Sequence, residues 1–370
     1  MNQNTARKAL IVTATSFLAT GAAYADELSD LRDRVAKLEA EQSNLTFGLP
    51  GTTVEIYGYA KIDFQVDLDS PLGSTIFGLA NLDVDGPRDR NTRTEARQTR
   101  IGFRTSTETD FGTLKTVVEG DFFGSGGDAG AFRIRQAHGS VGGFLAGFTW
   151  TNFMPIESYP STVDFQGPAG IPFARVGQVR YTHDFGNGFG VSGSIEDDVS
   201  ADATRFAVTA AANYKFDKGF VKLAAISREF QVAGGDNVSG FGFNLSGNFQ
   251  PWEGGTIQAS FTQGDGIGSL MVFGGADVFA GEAVETTGLT LAVNHALNDK
   301  IRLGAAYGKR DIDAGALTDT EQLETVHLSA FYTPLERVTL GLEYVTGERQ
   351  LFDGRSRTAD RIIASAQFNF

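Results

Sequence analysis

The chain contains no cysteine among its 370 residues. That excludes a disulfide scaffold, thiolate metal sites and a cysteine nucleophile. Positive charge is also short: 31 Lys and Arg stand against 45 Asp and Glu, a net charge of −14. A nucleic-acid partner needs a basic face, so none is expected. The four histidines, His138, His183, His295 and His327, are scattered without metal-ligand spacing. A phosphate-cradling glycine loop, H-E-x-x-H and G-x-S-x-G are all missing. After the N-terminal leader, no stretch reaches the roughly 18 uninterrupted apolar residues of a membrane-spanning helix. Neither a cofactor, nor a metal, nor enzymatic chemistry is expected from this inventory.

What the chain does have is 46 Gly and 30 Phe against 3 Met and 9 Pro, a composition of turns and aromatic strand faces. Its last ten residues, 361–370 (RIIASAQFNF), alternate. Ile362, Ala364, Ala366, Phe368 and Phe370 share one face, Arg361, Ser365, Gln367 and Asn369 the other, and only Ile363 breaks the pattern. A strand apolar on one side and polar on the other suits a closed barrel with lipid outside and water inside. From residue 54 onward about sixteen such stretches of roughly ten residues follow one another. In the first, Val54, Ile56, Ala60, Ile62, Phe64 and Val66 face one way and Glu55, Tyr57, Tyr59, Lys61, Asp63 and Gln65 the other.

The connections sort by parity. Short ones fall at 109–112, 141–143, 185–188, 217–219, 250–255, 297–300 and 333–336. Longer ones, at 68–93, 152–175, 265–284, 311–321 and 348–359, mostly lie between them. Short periplasmic turns and long outer loops are the habit of outer-membrane barrels, whereas a soluble sandwich has no reason to sort its loops. Outward aromatics near the short turns, among them Phe185, Phe189, Tyr214, Phe249 and Phe368, read as the girdle at headgroup depth.

The N-terminus fits export to the Gram-negative outer membrane. Arg7 and Lys8 precede an apolar stretch at 9–20 and an A-x-A site, Ala23-Tyr24-Ala25, so residues 1–25 read as a cleaved signal peptide. Removing them leaves 29 basic residues (31 − 2) against 45 acidic ones, a net charge of −16. Leu28, Leu31, Val35, Leu38 and Leu45, with polar Gln42, follow an a/d repeat, which predicts a short periplasmic coiled-coil helix over 26–46. Residues 47–53 read as a linker, and 54–370 as the barrel. The predicted fold is therefore all-β, a transmembrane antiparallel barrel of about sixteen strands preceded by that helix.

Between Gln98 and Tyr181 the sequence resembles the DcaP-like trimeric porins of Gram-negative outer membranes. The segments that carry the resemblance are 99–104 (TRIGFR), 114–123 (LKTVVEGDFF), 132–139 (FRIRQAHG), 145–154 (LAGFTWTNFM), 162–167 (TVDFQG) and 177–181 (GQVRY). The short heptad helix is also a feature of that family, and the second half of the chain resembles it only in architecture. The resemblance implies a homotrimer in lipid and lipopolysaccharide, and a pore narrowed by an infolded third loop. It also implies a preference for small anionic solutes such as dicarboxylates. His138 departs from the family's pattern, which has an aromatic there, and strict alternation places it outward.

Alternation from the residues themselves puts Lys61, Arg100, Arg104, Lys115, Arg133, Arg135 and Arg180 inside, with Arg175 joining them as pore-lining cations. Turned outward, such a guanidinium near the midplane costs about 2–4 kcal/mol. The loop at 152–175, stiffened by Pro155, Pro160, Pro168 and Pro172, is expected to fold inward. Its Glu157 and Asp164 then face the arginines and create a transverse field. Pairing of those arginines with inward Glu119 and Asp121 is the plainer alternative. Two competing functions remain: a barrel-embedded hydrolase using a serine paired with His327, and a structural or adhesin barrel without an open pore. The acidic segment 83–89 offers a divalent-ion site, but its own arginines favour a salt-bridged loop.

Overall fold

A computed structural model describes residues 51–125, 130–232 and 235–370. The chain divides into two units, residues 56–104 with 108–370, and residues 1–55 with 105–107. In the smaller unit the hydroxyls of Thr52 and Thr107 are 2.8 Å apart. The larger unit carries the lumen and the loops described below.

Alternating, β-branched and aromatic sequence is what forms the strands. They are β1 (Thr52–Asp67), β2 in two pieces (Asn91–Glu95 and Arg100–Thr109), β3 (Gly112–Gly124), β4 (Ala131–Val141) and β5 (Phe144–Trp150). Then come β6 (Arg175–Asp184), β7 (Phe189–Glu196), β8 (Ala207–Phe216), β9 (Gly219–Phe230), β10 (Val238–Phe249) and β11 (Gly255–Asp265). The last are β12 (Glu285–Ala296), β13 (Ile301–Ile312), β14 (Thr320–Leu335), β15 (Val338–Leu351) and β16 (Ser356–Asn369). Sequence neighbours pair antiparallel, and β1 closes on β16 from Tyr59↔Asn369 to Asp67↔Arg361. Counting the two pieces of β2 as one, the seventeen-membered sheet is a sixteen-stranded barrel. Closure satisfies every edge, the condition for crossing lipid with strands.

One part of the predicted fold class is corrected. The fold is an antiparallel sixteen-stranded barrel, and the accompanying coiled-coil helix is withdrawn. Among the described residues no helix exceeds the six-residue 3-10 turn Ile76–Asn81. The stretch 26–46, like the expected signal peptide at 1–25 and linker residues 47–50, lies outside the described residues. Among the described residues no helix is long and apolar enough to cross a membrane.

The two faces of the wall differ as the alternation requires. In β1, Phe64 is exposed on the outside while Lys61, Asp63, Gln65 and Asp67 are buried inside. Ile134 and Phe132 are exposed outside with Arg135 buried inside. Phe185 stacks on Phe189 at 5.4 Å and Phe216 meets Phe249 at 6.4 Å beside the short turns. The pattern slips once on β4. Glu119 opposes Gln136 but Gly120 opposes Ile134, so Arg135 and Gln136 form a bulge. Gln136 consequently faces inward, where it accepts from Thr149 Oγ1 at 2.9 Å. Two residues on, His138 shares that inward face, not the lipid face that strict alternation gave it.

The lumen is far from empty. Segments 68–90, 152–174 and 266–284 fold into it and share a small apolar core. Leu72, Ile76 and Leu79 from the first meet Val163, Ala169 and Ile171 from the second and Val272 and Phe273 from the third. Wall residues Leu323, Val345, Ala359 and Ile363 complete it. A second cluster seats Phe153 on Ala207, Ala224 and Ile226 of the wall, with Ile267 and Leu270. Each buried aliphatic or aromatic side chain contributes roughly 1.5–3 kcal/mol, so these loops are packed, not merely tethered.

Candidate functional site

The segment 152–174 lies inside the barrel against its wall. Four prolines and no alternation keep it from pairing as a strand, so many of its backbone groups are satisfied by side chains of the wall. Glu196 of β7 accepts from Asn152 N–H at 2.8 Å and from Thr151 Oγ1 at 2.5 Å. Lys222 of β9 donates to Met154 O, Asn248 of β10 to Glu157 O and Gln258 of β11 to Tyr159 O, each at 2.9 Å. On the far side Glu343 of β15 accepts Val163 N–H at 2.6 Å and Asp164 N–H at 3.1 Å. Thr325 accepts Ala169 N–H and Thr290 donates to Ala169 O, both at 2.9 Å. Gly170 has φ +84°, and a Cβ there would lie 2.1 Å from Lys309 O, so only glycine allows this backbone to rest on the wall.

Opposite this segment lies the basic wall of β2 to β6. Arg133 grips Asp121 through Nε at 3.0 Å and a terminal nitrogen at 2.8 Å. Arg135 donates to Glu119 at 3.0 Å and to Asp121 at 2.7 Å. Arg100 stands 3.6 Å from Glu119. Arg175 lies over the Trp150 ring at 4.5 Å, and one of its terminal nitrogens has no hydrogen-bond partner among the described residues. Three guanidinium groups thus share two carboxylates, and with Arg175 beside them the group has a surplus of two positive charges (4 − 2). Aromatic rings hold them in place: Arg100 over Tyr59 at 5.2 Å and Arg135 over Phe165 at 5.2 Å. A cavity of about 600 Å³ opens against this wall, lined by Arg100, Arg135 and Arg302 with Trp150, Phe165 and Asp164.

The expected pore cations therefore separate into groups. Arg100, Arg133, Arg135 and Arg175 come together. Arg104 is exposed and sits 4.1 Å over Tyr57, and Lys115 is exposed on the same face toward the short turns. Arg180 donates to Gln178 Oε1 at 2.8 Å and to Trp150 O at 2.5 Å. Lys61 is a different case, because it is buried and donates to Val163 O at 2.8 Å and Gln98 Oε1 at 2.5 Å. It anchors the inner segment.

The two loop carboxylates do not oppose the arginines as a pair. Asp164 is buried, accepts Ile76 N–H at 2.9 Å and Gln166 N–H at 2.8 Å, and lies 4.0 Å from Arg361. Burial pushes its carboxyl above the usual range, against the pull of Arg361. Burial likewise raises the Tyr159 phenol, whose hydroxyl donates to Gln166 O. Glu157 is exposed and stays in water. The acids that meet the arginines are Glu119 and Asp121 on the same wall.

Reasoning from sequence missed Arg302, which stacks 4.0 Å from the Phe331 ring and lines the cavity from β13. Its inward alternation between Ile301 and Leu303 was the available signal. Glu343 was missed as well, and with it the surroundings of His327. His327 Nδ1 lies 3.1 Å from Glu343 Oε1, while Ser329 Oγ donates to Glu343 Oε2 at 2.5 Å. That serine serves the carboxylate and not the imidazole, and His327 is completely buried, so the hydrolase arrangement has no nucleophile–base pair. The acidic segment 83–89 is held by arginines. Arg357 donates to Asp83 O at 3.0 Å and to Pro87 O at 2.6 Å, and Arg355 pairs with Asp85.

Known proteins agree with this architecture. No curated protein matches the chain. Among solved structures, the outer membrane channel DcaP of Acinetobacter baumannii superposes with a TM-score of 0.80 at 24% identity, covering 87% of this chain and 99% of that one. OmpT of Vibrio cholerae, an outer membrane protein, superposes with a TM-score of 0.62 at 15% identity over 88% of this chain and 99% of its own. An anion-selective porin from Comamonas acidovorans gives 0.60 at 13% identity over 86% of this chain and 100% of its own. At such identities the superpositions establish the fold. The family model described as DcaP outer membrane protein matches residues 39–229, more than half of the 370 residues. The chain therefore belongs to the DcaP family and is an outer-membrane β-barrel channel.

Proposed function

We propose that the channel passes small polar solutes by passive diffusion and prefers anions, dicarboxylates among them. The observation that carries this is the wall of Arg100, Arg133, Arg135 and Arg175, four cations against the two carboxylates Glu119 and Asp121, with Arg100 and Arg135 lining a cavity of about 600 Å³. Fixed cations in a narrow aqueous path lower the barrier for an entering anion. Arg104, Lys115 and Arg180 extend the positive face, and Arg302 adds a cation from the other side. The net negative charge of the chain does not oppose this, because the field at the narrowest point is set by the nearest groups.

The assembly we propose is a homotrimer embedded in lipid and lipopolysaccharide, reached by export with cleavage after Ala25. The porin from Comamonas acidovorans is described as anion-selective, which accords with this reading. Liposome swelling with mono- and dicarboxylates against neutral sugars of similar size tests the solute preference. Faster entry of the carboxylates supports it; equal or faster entry of the sugars defeats it.

A further inference from the structure

A second cavity, of about 410 Å³, lies at the long-loop end of the barrel, away from the Arg133–Arg135 wall. Its floor is Arg310 of β13. That residue is 2% exposed and donates one terminal nitrogen to Gly274 O, but its buried Nε and other terminal nitrogen have no partner among the described residues. Arg349 of β15 lines the same cavity, held by Thr320 Oγ1 at 2.8 Å and Leu82 O at 2.7 Å. The third charged lining group, the Asp319 carboxylate, accepts Ala316 N–H at 2.9 Å through one oxygen and offsets one of the two positive charges. The remaining wall is aromatic: Phe77 and Phe273, from two different inner segments, stack at 5.9 Å and 10°, with Phe352 beside them.

Two guanidinium groups against the single carboxylate of Asp319 leave the cavity lining with a surplus of one positive charge (2 − 1), which favours an oxygen acceptor bearing negative charge. Ring faces supply a flat apolar surface next to that charge. We propose that this cavity binds a small carboxylate with a flat apolar body, its carboxylate on Arg310 and Arg349 and its body against Phe77, Phe273 and Phe352. The site stands on its own cavity and does not rest on the selectivity proposed for the Arg133–Arg135 wall. It places a solute-binding station on the long-loop side, before the narrow passage is reached.

Calorimetric titration of the detergent-solubilised full chain with benzoate, benzamide and acetate tests it. Benzoate is expected to bind at one site per barrel, about tenfold or more tighter than either the neutral amide or the small carboxylate. Arg349→Gln and Arg310→Gln weaken it by about tenfold or more, whereas Arg133→Ala and Arg135→Ala leave it within about twofold. Ala314→Trp fills the cavity with every charge retained and abolishes binding, which keeps the test decisive if the buried Arg310 variant fails to fold. Absence of benzoate binding, equal binding of benzamide, or binding unchanged in Arg349→Gln and Ala314→Trp overturns the proposal. An ion-selectivity measurement on the unmutated channel fails or succeeds separately, so the two readings remain distinguishable.

Discussion

Glu343 holds the inner segment at its midpoint, one carboxylate oxygen accepting Val163 N–H at 2.6 Å and the other Asp164 N–H at 3.1 Å. The same carboxylate receives Ser329 Oγ at 2.5 Å and faces His327 Nδ1 at 3.1 Å. This one wall residue therefore supplies two of the hydrogen bonds that hold the inner segment in place.

Replacing Glu343 by Gln removes one acceptor and the charge, leaving at least one buried donor unmet at a cost of about 1–3 kcal/mol. The expected result is a folded barrel of lower thermal stability whose single-channel conductance is larger and noisier than that of the parent. Planar-bilayer recording and heat-dependent unfolding check this, and an unchanged conductance denies Glu343 its anchoring role.

Lys61 separates anchoring from selectivity. Lys61→Met abandons Val163 O and leaves the buried Asp63, 3.3 Å away, without its cation, a loss of about 3 kcal/mol. Stability falls, but the ratio of anion to cation permeability stays close to the parent value. A large change in that ratio would return Lys61 to the pore wall.

Gly170 carries both a steric and a backbone constraint, with φ +84° and a Cβ position 2.1 Å from Lys309 O and 2.5 Å from Leu289 O. Gly170→Ala is expected to cost about 1–3 kcal/mol and to lift the segment from the wall. Greater protease sensitivity within 152–174, measured on the intact barrel, is the readout.

Period-two patterning made the barrel legible because lipid and water impose opposite demands on alternate residues, and Ile134 between Arg133 and Arg135 shows it most clearly. The same rule misplaced His138, since the bulge at Arg135 and Gln136 leaves no mark in a hydropathy pattern. The arginines were found but their partners were weighed wrongly: the plainer pairing with Glu119 and Asp121 is the observed one. Asp164 looked like a water-facing acid because sequence shows its charge and not the buried Ile76 and Gln166 N–H groups it satisfies. Residues 68–93 and 265–284 read as outer loops, yet Leu72, Ile76 and Leu79, and likewise Val272 and Phe273, are core residues inside the barrel. Their apolar spacing was visible, but a lumen expected to be wet gave no reason to fill it.

An anion preference set by the four-arginine wall registers in the reversal potential of single channels in a salt gradient. The unmutated protein should show an anion preference, reduced by Arg133→Ala or Arg135→Ala and reduced further by the double substitution, which brings the balance of this group of four arginines and two carboxylates from two positive charges to none (4 − 2 − 2). A cation preference in the unmutated channel, or one indifferent to both substitutions, would contradict the account.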